Sequence, residues 1–366
     1  MFEINRCDKI SFSCGVEYEG KIFFASMVGN DLFAYDKSKK NTKYVLSFDK
    51  EKDISYLYRC AVLYNGYAWF IPQIAENIAI VNLETFAIEY ISLSCECCEE
   101  QVVLKYSSAK IIQGNKLCMV PFDVDTLTII NMETKKVEGN YRIADKERKY
   151  TDVFMADDCI YCIPWIGNEL VKINLLDSTK EIFPWKFGEK KNYLAVEISN
   201  QSEIWFTAIG AEQVIFYDTR KKQWGEFPLK KENESIVLQS VYGKVVGESI
   251  FFLPYNEKKI IRIHCKKKEI CEYHIADSEF PDGFYKIIDS QKLCMSIEGT
   301  NYIFFYDEEK DIFISEKLEM PVDSKSSYLI NQKVLKGFKK DKIITEGYYF
   351  GMNNFIDIIL KEDMGE

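Results

Sequence analysis

The sequence predicts an all-β fold, a β-propeller of four-stranded antiparallel blades, and three observations carry that expectation. One phrase of residues recurs along the chain: an apolar strand ending at an anchor, a polar turn, and a second apolar strand closing on Asp or Asn ten positions after the anchor. The anchors, Ser26, Pro72, Pro121, Pro164, Ala208, Pro254, Ile297 and Gly347, lie 43 to 50 residues apart, the range of propeller blades and solenoid units. Apolar residues come in short β-branched and aromatic runs bounded by polar turns, and no segment sustains helical three-and-four spacing over ten or more residues.

The clearest copies run Trp69-Phe70-Ile71-Pro72 to Val81-Asn82, Cys118-Met119-Val120-Pro121 to Ile130-Asn131, and Tyr161-Cys162-Ile163-Pro164 to Ile173-Asn174. A fourth, Phe251-Phe252-Leu253-Pro254 to Ile263-His264, ends on His instead. Three keep the offset without proline, Ser26 to Asp36, Ala208 to Asp218 and Ile297 to Asp307, and a weaker eighth pairs Gly347 with Asp357. Upstream, Cys14 to Gly20 and Cys60 to Gly66 share a Cys-x-Val-x-Tyr-x-Gly frame, which is one strand and a tight turn. Downstream, runs such as Lys43 to Phe48 and Ile88 to Leu93 add another strand. Each copy therefore holds four strands in ~45 residues, as a blade requires. The closing Asp or Asn is short enough to accept hydrogen bonds from the amides of the following turn. Proline, lacking an amide proton, suits a strand end.

Eight copies favour eight blades, with seven blades and a C-terminal appendage as the alternative. The last copy lacks an outer strand, and Met1 to Cys7 could supply it, closing the ring by pairing the first and last segments. Such closure removes the edges that invite aggregation. No Gly/Ser run, proline tract or composition shift divides the chain, so residues 1–366 read as one domain.

A net charge of −10 argues against a phosphate-binding surface, and so against nucleic acid. The basic runs Lys266 to Lys268 and Lys339 to Lys342 read as solvated turns. No apolar stretch is long enough to span a membrane, and the amino terminus lacks the pattern of a secretion signal. Twelve cysteines in that context read as reduced thiols in a cytoplasmic protein. A monomer is expected.

The run Ser202 to Ala208, followed by Gln213 to Asp218 and Gly225 to Leu229, resembles a blade of the virginiamycin B lyase-like and NHL-type propellers. The resemblance covers one blade well and the others only through spacing. It implies membership of a broad propeller superfamily that holds binding proteins and several enzyme types, and a fold alone does not choose between them. The acid/base residues and metal site of that lyase find no matching His or Glu here.

Where copies differ at equivalent exposed places, function is expected. Just past the anchors lie Gln73, Phe122, Trp165, Ile209, Tyr255, Glu298 and Tyr348, on the loop joining second and third strands. Phe122 with Asp123, Trp165 with Asn168, and Tyr255 with Asn256 pair an aromatic surface with a polar neighbour, which suits stacking on a flat ligand whose orientation the polar group sets. Those six residues, with Gln73 and Glu298, are the candidate ligand-binding set; the competing reading packs the aromatics between blades. Loops before the innermost strands add Arg59, Lys110, Asp152, Lys191, Asp282 and Tyr328, a mouth of mixed charge.

Metal and catalytic readings find little support. Cys159 and Cys162 lie three apart in a strand and point to opposite faces. His264, Cys265, Cys271 and His274 share a hairpin that makes a four-ligand site hard to assemble. Cys95, Cys97 and Cys98 are free of strand constraints but have no nearby fourth ligand. Both histidines of the chain sit on one outer hairpin, away from the central face, so a Ser-His-Asp or Cys-His arrangement has no evident member. A carboxylate pair such as Asp123 with Glu298 stays open as an acid/base couple. The leading expectation is a non-enzymatic binding or scaffold propeller without cofactor or metal, presenting its loop-lined central face to a protein, peptide or glycan. The alternative is a propeller lyase or hydrolase acting on a small molecule at the central mouth.

Overall fold

The computed structural model describes residues 12–318, apart from 28, 94–103, 145–148, 167–168, 185–192, 199–202, 209, 232–233, 237–239, 255–258, 275–284, 289–292 and 298–300. Every regular element among them is a strand, and 28 of the 30 strands form seven four-stranded antiparallel sheets. Blade 1 holds β1 (Phe12–Tyr18), β2 (Lys21–Ser26), β3 (Asp31–Asp36) and β4 (Asn41–Ser47). Blade 2 holds β5 (Tyr58–Tyr64), β6 (Tyr67–Pro72), β7 (Asn77–Asn82) and β8 (Ile88–Ser92). Blade 3 follows with β9 (Tyr106–Ile112), β10 (Lys116–Pro121), β11 (Thr126–Asn131) and β12 (Lys136–Arg142). In blade 4 come β13 (Lys149–Ala156), β14 (Cys159–Ile166), β15 (Glu169–Asn174) and β16 (Lys180–Pro184). Blade 5 has β17 (Tyr193–Ile198), β18 (Glu203–Ala208), β19 (Gln213–Asp218) and β20 (Gln223–Pro228); a small ribbon, β21 (Lys230–Lys231) with β22 (Glu234–Ser235), leads on. Blade 6 has β23 (Ser240–Val246), β24 (Ser249–Pro254), β25 (Lys259–His264) and β26 (Glu269–His274). Blade 7 has β27 (Tyr285–Ile288), β28 (Cys294–Ile297), β29 (Tyr302–Asp307) and β30 (Ile312–Lys317).

The motif maps directly onto these elements. In six blades the second strand ends on its anchor; in blade 4 it runs on past Pro164 to Ile166. The third strand ends on the closing residue in all seven. Second and third strands are apolar almost throughout, as in Tyr67–Pro72 and Asn77–Asn82, because both of their faces are packed. Outer strands meet water and lose that pattern: Lys180–Pro184 is exposed at every position.

The core lies between blades. One cluster joins blades 1 and 2 around Phe23, Phe48, Tyr58 and Phe70, and another joins blades 2 and 3 around Trp69 and Met119. Others continue through blades 3 and 4, blades 4 to 6, and blades 6 and 7. Each fully buried aromatic or aliphatic side chain contributes about 1.5–3 kcal/mol relative to exposure.

Closure settles the blade number at seven. Blade 7 packs straight against blade 1: Ile288, Cys294, Ile303 and Leu318 share a buried cluster with Phe12, Ile22, Phe24 and Phe33. Glu316 of β30 accepts a hydrogen bond from Tyr35 and pairs with Lys40 at 2.9 Å, while Lys37 lies 5.7 Å over the Phe305 ring. The innermost strands contact one another round the ring, β27 reaching β1. No slot for an eighth blade remains between them, so the favoured count of eight gives way to seven. The eighth motif copy, Gly347 to Asp357, and the Met1 to Cys7 segment lie outside the described residues.

A backbone irregularity repeats at one end of the innermost strands. Phe12, Tyr58, Tyr106, Tyr150 and Ser240 pair with their blades' anchors, and the next residue of each strand drops out of register. The residues skipped in the register are Ser13, Arg59, Ser107, Thr151 and Val241. Bulges of this kind bend a strand and re-aim its side chains, and they gather at rims.

Candidate functional site

The loops that follow the anchors and the connectors between blades share one face, and in blades 2 to 4 they are stitched into a continuous arc. The Gln73 amide donates to Leu57 O at 2.8 Å, and Gln73 O accepts from the Lys105 amide at 2.8 Å. Lys105 O accepts from the Phe122 amide at 3.0 Å, and Leu104 O from the Asp123 amide at 2.9 Å. Asp123 returns the bond, its Oδ2 accepting from the Leu104 amide at 2.8 Å. Its Oδ1 lies 2.6 Å from Lys149 Nζ. That ammonium also sits 4.7 Å over the Phe122 ring, and the Trp165 ring packs against Phe122 with centroids 6.4 Å apart.

Four of the eight candidate residues are thus brought together: Gln73, Phe122, Asp123 and Trp165. Gln73 and Phe122 are 6% and 5% exposed, so they form the floor of the arc, while Trp165 is half-buried with its indole Nε1 out of contact with solvent. Asn168, Tyr255, Asn256 and Glu298 lie outside the described residues, and with Glu298 goes any test of its pairing with Asp123.

Below the arc the innermost strands are tied by charge. Asp152, only 4% exposed, pairs with Lys110 at 3.0 Å and accepts from its neighbour Val153's amide at 2.8 Å. Lys110 also donates to Val153 O at 2.9 Å, joining β9 to β13. Arg59, at the bulge of β5, is 5% exposed. Ser13 Oγ donates to Tyr58 O at 2.8 Å and ties β1 to β5 in the same way. Further out, the buried Glu51 carboxylate accepts from the amides of Glu76 and Asn77, which orders the loop after Pro72.

Lys105 and Lys149 were not among the residues that sequence reasoning selected. Both stand immediately before the tyrosine that pairs with an anchor, in Lys105-Tyr106 and Lys149-Tyr150. Both reach back to the loop of the preceding blade, Lys105 Nζ to Ala75 O at 2.7 Å and Lys149 Nζ to Asp123. The repeated Lys-Tyr dipeptide was the available signal.

The thiols are set up as core rather than chemistry. Burial raises the Cys118, Cys162 and Cys294 thiols above their ordinary range and pushes Cys265 up to about 12, which leaves little thiolate. Cys159 and Cys162 are 5% and 0% exposed within β14. His264 acts in its turn, Nδ1 accepting from the Lys267 amide at 3.4 Å. No group of three or more His, Cys, Asp and Glu among the described residues is placed to hold a metal ion. Cys95, Cys97 and Cys98 lie outside those residues. No helix among them is long and apolar enough to cross a membrane.

No family model matches the sequence, and no curated protein matches it. Solved structures do resemble the fold. A streptogramin B lyase superposes with a TM-score of 0.61 at 14% identity over 82% of this chain and 94% of that one. PorZ, a surface component of the type-IX secretion system of Porphyromonas gingivalis, gives 0.58 at 14% identity, covering 86% of this chain and 38% of its own. Hsv2 of Kluyveromyces lactis gives 0.52 at 8% identity over 85% and 98%. The lyase-type likeness read in blade 5 therefore extends to the architecture, and at these identities it speaks for the fold alone.

Proposed function

We propose that this chain is a non-enzymatic binding or scaffold propeller that presents the connector face to a protein, peptide or glycan. The observation that supports this reading is the arc itself: Gln73, Phe122 and Asp123 are held by backbone hydrogen bonds and the Lys149 ion pair, and the half-buried Trp165 of the next blade packs against Phe122. A rigid rim that costs little to order, carrying an aromatic beside polar groups, is the usual makeup of a recognition surface. The lyase or hydrolase alternative draws on the likeness to an enzyme of the same fold, while another neighbour is a surface component of a secretion system. A cytoplasmic placement belongs to the same proposal, supported by free cysteines buried as small apolar residues.

The test is capture from native extract with the wild type and with Trp165→Ala, beside thermal melting of both. Loss of one or more captured species with a nearly unchanged melting temperature supports a binding face. Identical capture by the two proteins sinks it.

A further inference from the structure

In the turn between third and fourth strands of every blade, the residue four positions after the closing Asp, Asn or His has a left-handed backbone, and its side chain reaches back to the preceding blade. Four of these residues meet an opposite charge there. Lys40 pairs with Glu316 at 2.9 Å, Lys135 with Glu89 at 2.7 Å, Lys222 with Asp157 at 2.7 Å and Asp311 with Arg262 at 2.8 Å. Phe86 meets the Phe23 ring, and Ser178 the Tyr141 hydroxyl. Lys268 of blade 6 is the exception. Its ammonium has no carboxylate within ion-pair reach among the described residues and sits over three rings of blade 5, 4.4 Å from Trp205, 5.0 Å from Phe216 and 5.7 Å from Phe227.

Those rings form a cage. Trp205 stacks on Phe216 with centroids 5.1 Å apart, and Phe227 stands across Trp205 at 5.9 Å and 67°. Gly225, paired with Phe216 in the sheet, clears the space, since a Cβ there would lie 2.3 Å from Phe216 Cζ. Glu203 accepts from Trp205 Nε1 at 3.0 Å and adds negative charge beside the rings. Trp205 is fully buried with the lysine in place, whereas Phe216 and Phe227 are half-buried and Lys268 is exposed, so the cage faces solvent on the side from which the lysine enters.

A primary ammonium is strongly hydrated and carries three N–H donors, for which the rings offer no lone pair. A quaternary ammonium has no N–H to satisfy and spreads its charge over methyl groups, which suits aromatic faces better. The Lys268 amide donates to His264 O at 2.8 Å, so the backbone holds the turn when the side chain leaves. We propose that the cage of Trp205, Phe216 and Phe227 binds a small quaternary ammonium compound of the choline type, with Lys268 as its resident plug. This site is separate from the connector-face arc and does not depend on it.

Calorimetric titration of the wild type and Lys268→Gly tests the site with three probes: choline, its uncharged isostere with carbon in place of nitrogen, and a trimethyllysine peptide. Glycine adopts the left-handed backbone of position 268, φ 57°, without a Cβ penalty, so removing the plug keeps the turn. Choline is expected to bind both proteins, and Lys268→Gly about tenfold more tightly, because the wild type binds only in the fraction whose lysine is released. Phe227→Leu keeps an apolar wall without π electrons and is expected to weaken choline about tenfold at a nearly unchanged melting temperature, a loss on the scale of one cation–π contact. Equal binding of the uncharged isostere overturns recognition of the cation, and a preference for the peptide overturns the small ligand. Choline binding by Lys268→Gly but not by the wild type makes the lysine a permanent wall of the fold and overturns the plug. Choline binding by neither protein, or binding indifferent to Phe227→Leu, overturns the site.

Discussion

On the hairpin face, the closing residues Asp36, Asn82, Asn131, Asn174, Asp218, His264 and Asp307 all accept hydrogen bonds from the amides of their own turns, at 2.9 to 3.4 Å. Four positions later, Lys40, Phe86, Lys135, Ser178, Lys222, Lys268 and Asp311 all adopt a left-handed backbone, φ between 51° and 60°. On the connector face the backbone bonds recur, the residue just past the outer strand donating to Asn30 O, Asp125 O, Glu212 O or Asn301 O, but the side chains change: blades 2 to 4 are stitched through Gln73, Lys105, Asp123 and Lys149, whereas blades 1 and 7 use Asn30 and Asn301, donating to Phe48 O and Leu318 O. A propeller can repeat one turn solution seven times because each hairpin is local. The opposite face joins blade to blade, and there the side chains that make the junctions change along the ring.

Asp152→Ala offers the largest way to break this contrast. It removes the buried carboxylate from the junction between β9 and β13 and leaves Lys110 its bond to Val153 O, and the expected loss is about 3 kcal/mol, the low end for a broken buried pair because Lys110 is a quarter exposed. A change below about 1 kcal/mol in urea unfolding would show that the inner charges are not what ties these blades. Next in size are Asn82→Ala and Asn131→Ala, each expected to cost about 1 kcal/mol for its lost turn bonds. Their double variant should cost the sum, since the two turns share no partner. Strong non-additivity would mean that the turns are not independent modules.

Acid sharpens the same contrast. Asp36 is held below the usual carboxylate range first by the Ser38 hydroxyl, Asp218 by the Lys221 amide and Asp307 by the Lys310 ammonium. A depressed native value contributes stability that is present above the unfolded pKa of about 3.9 and is lost as pH falls through the native one. The triple variant Asp36→Asn, Asp218→Asn, Asp307→Asn should keep the turns, as Asn82 and Asn131 do, and lose less stability between pH 4 and pH 2 than the wild type. Identical acid midpoints by circular dichroism would remove these turns from the acid response. The smallest effect is expected at Ser178, φ 60°, where glycine adopts the left-handed backbone without a Cβ penalty. Ser178→Gly should gain about 0.5 kcal/mol in thermal melting, and a loss would mean that its 3.4 Å contact with Tyr141 matters more than the strain.

Much of the hairpin face was legible in the residues. Leu83-Glu84-Thr85 after Asn82 and Met132-Glu133-Thr134 after Asn131 announce turns whose amides need an acceptor, and that is where the side chains go. The Tyr of the Cys-x-Val-x-Tyr-x-Gly frame hid a second role. Tyr18 donates to Glu84 and Tyr64 to Glu133, each in the turn of the next blade, a tie that no single repeat reveals. The candidate site was legible only in part. Position after the anchor identified Phe122 and Trp165, but Phe122 lies beneath a lysine 27 residues downstream, a partner supplied by the next blade.

By itself, the sequence determined the unit: where strands start and stop, which residue caps each turn, and that both faces of the inner strands are apolar. These are local consequences of side-chain alternation and of short polar groups next to free amides. Only the tertiary structure decided that seven units close the ring, that Glu316 and Lys40 meet across its seam, and that Lys149 reaches Asp123 and the Phe122 ring of the preceding blade. Closure depends on the angle between packed blades, a sum over contacts between residues far apart in the chain, and a repeat count cannot supply that angle.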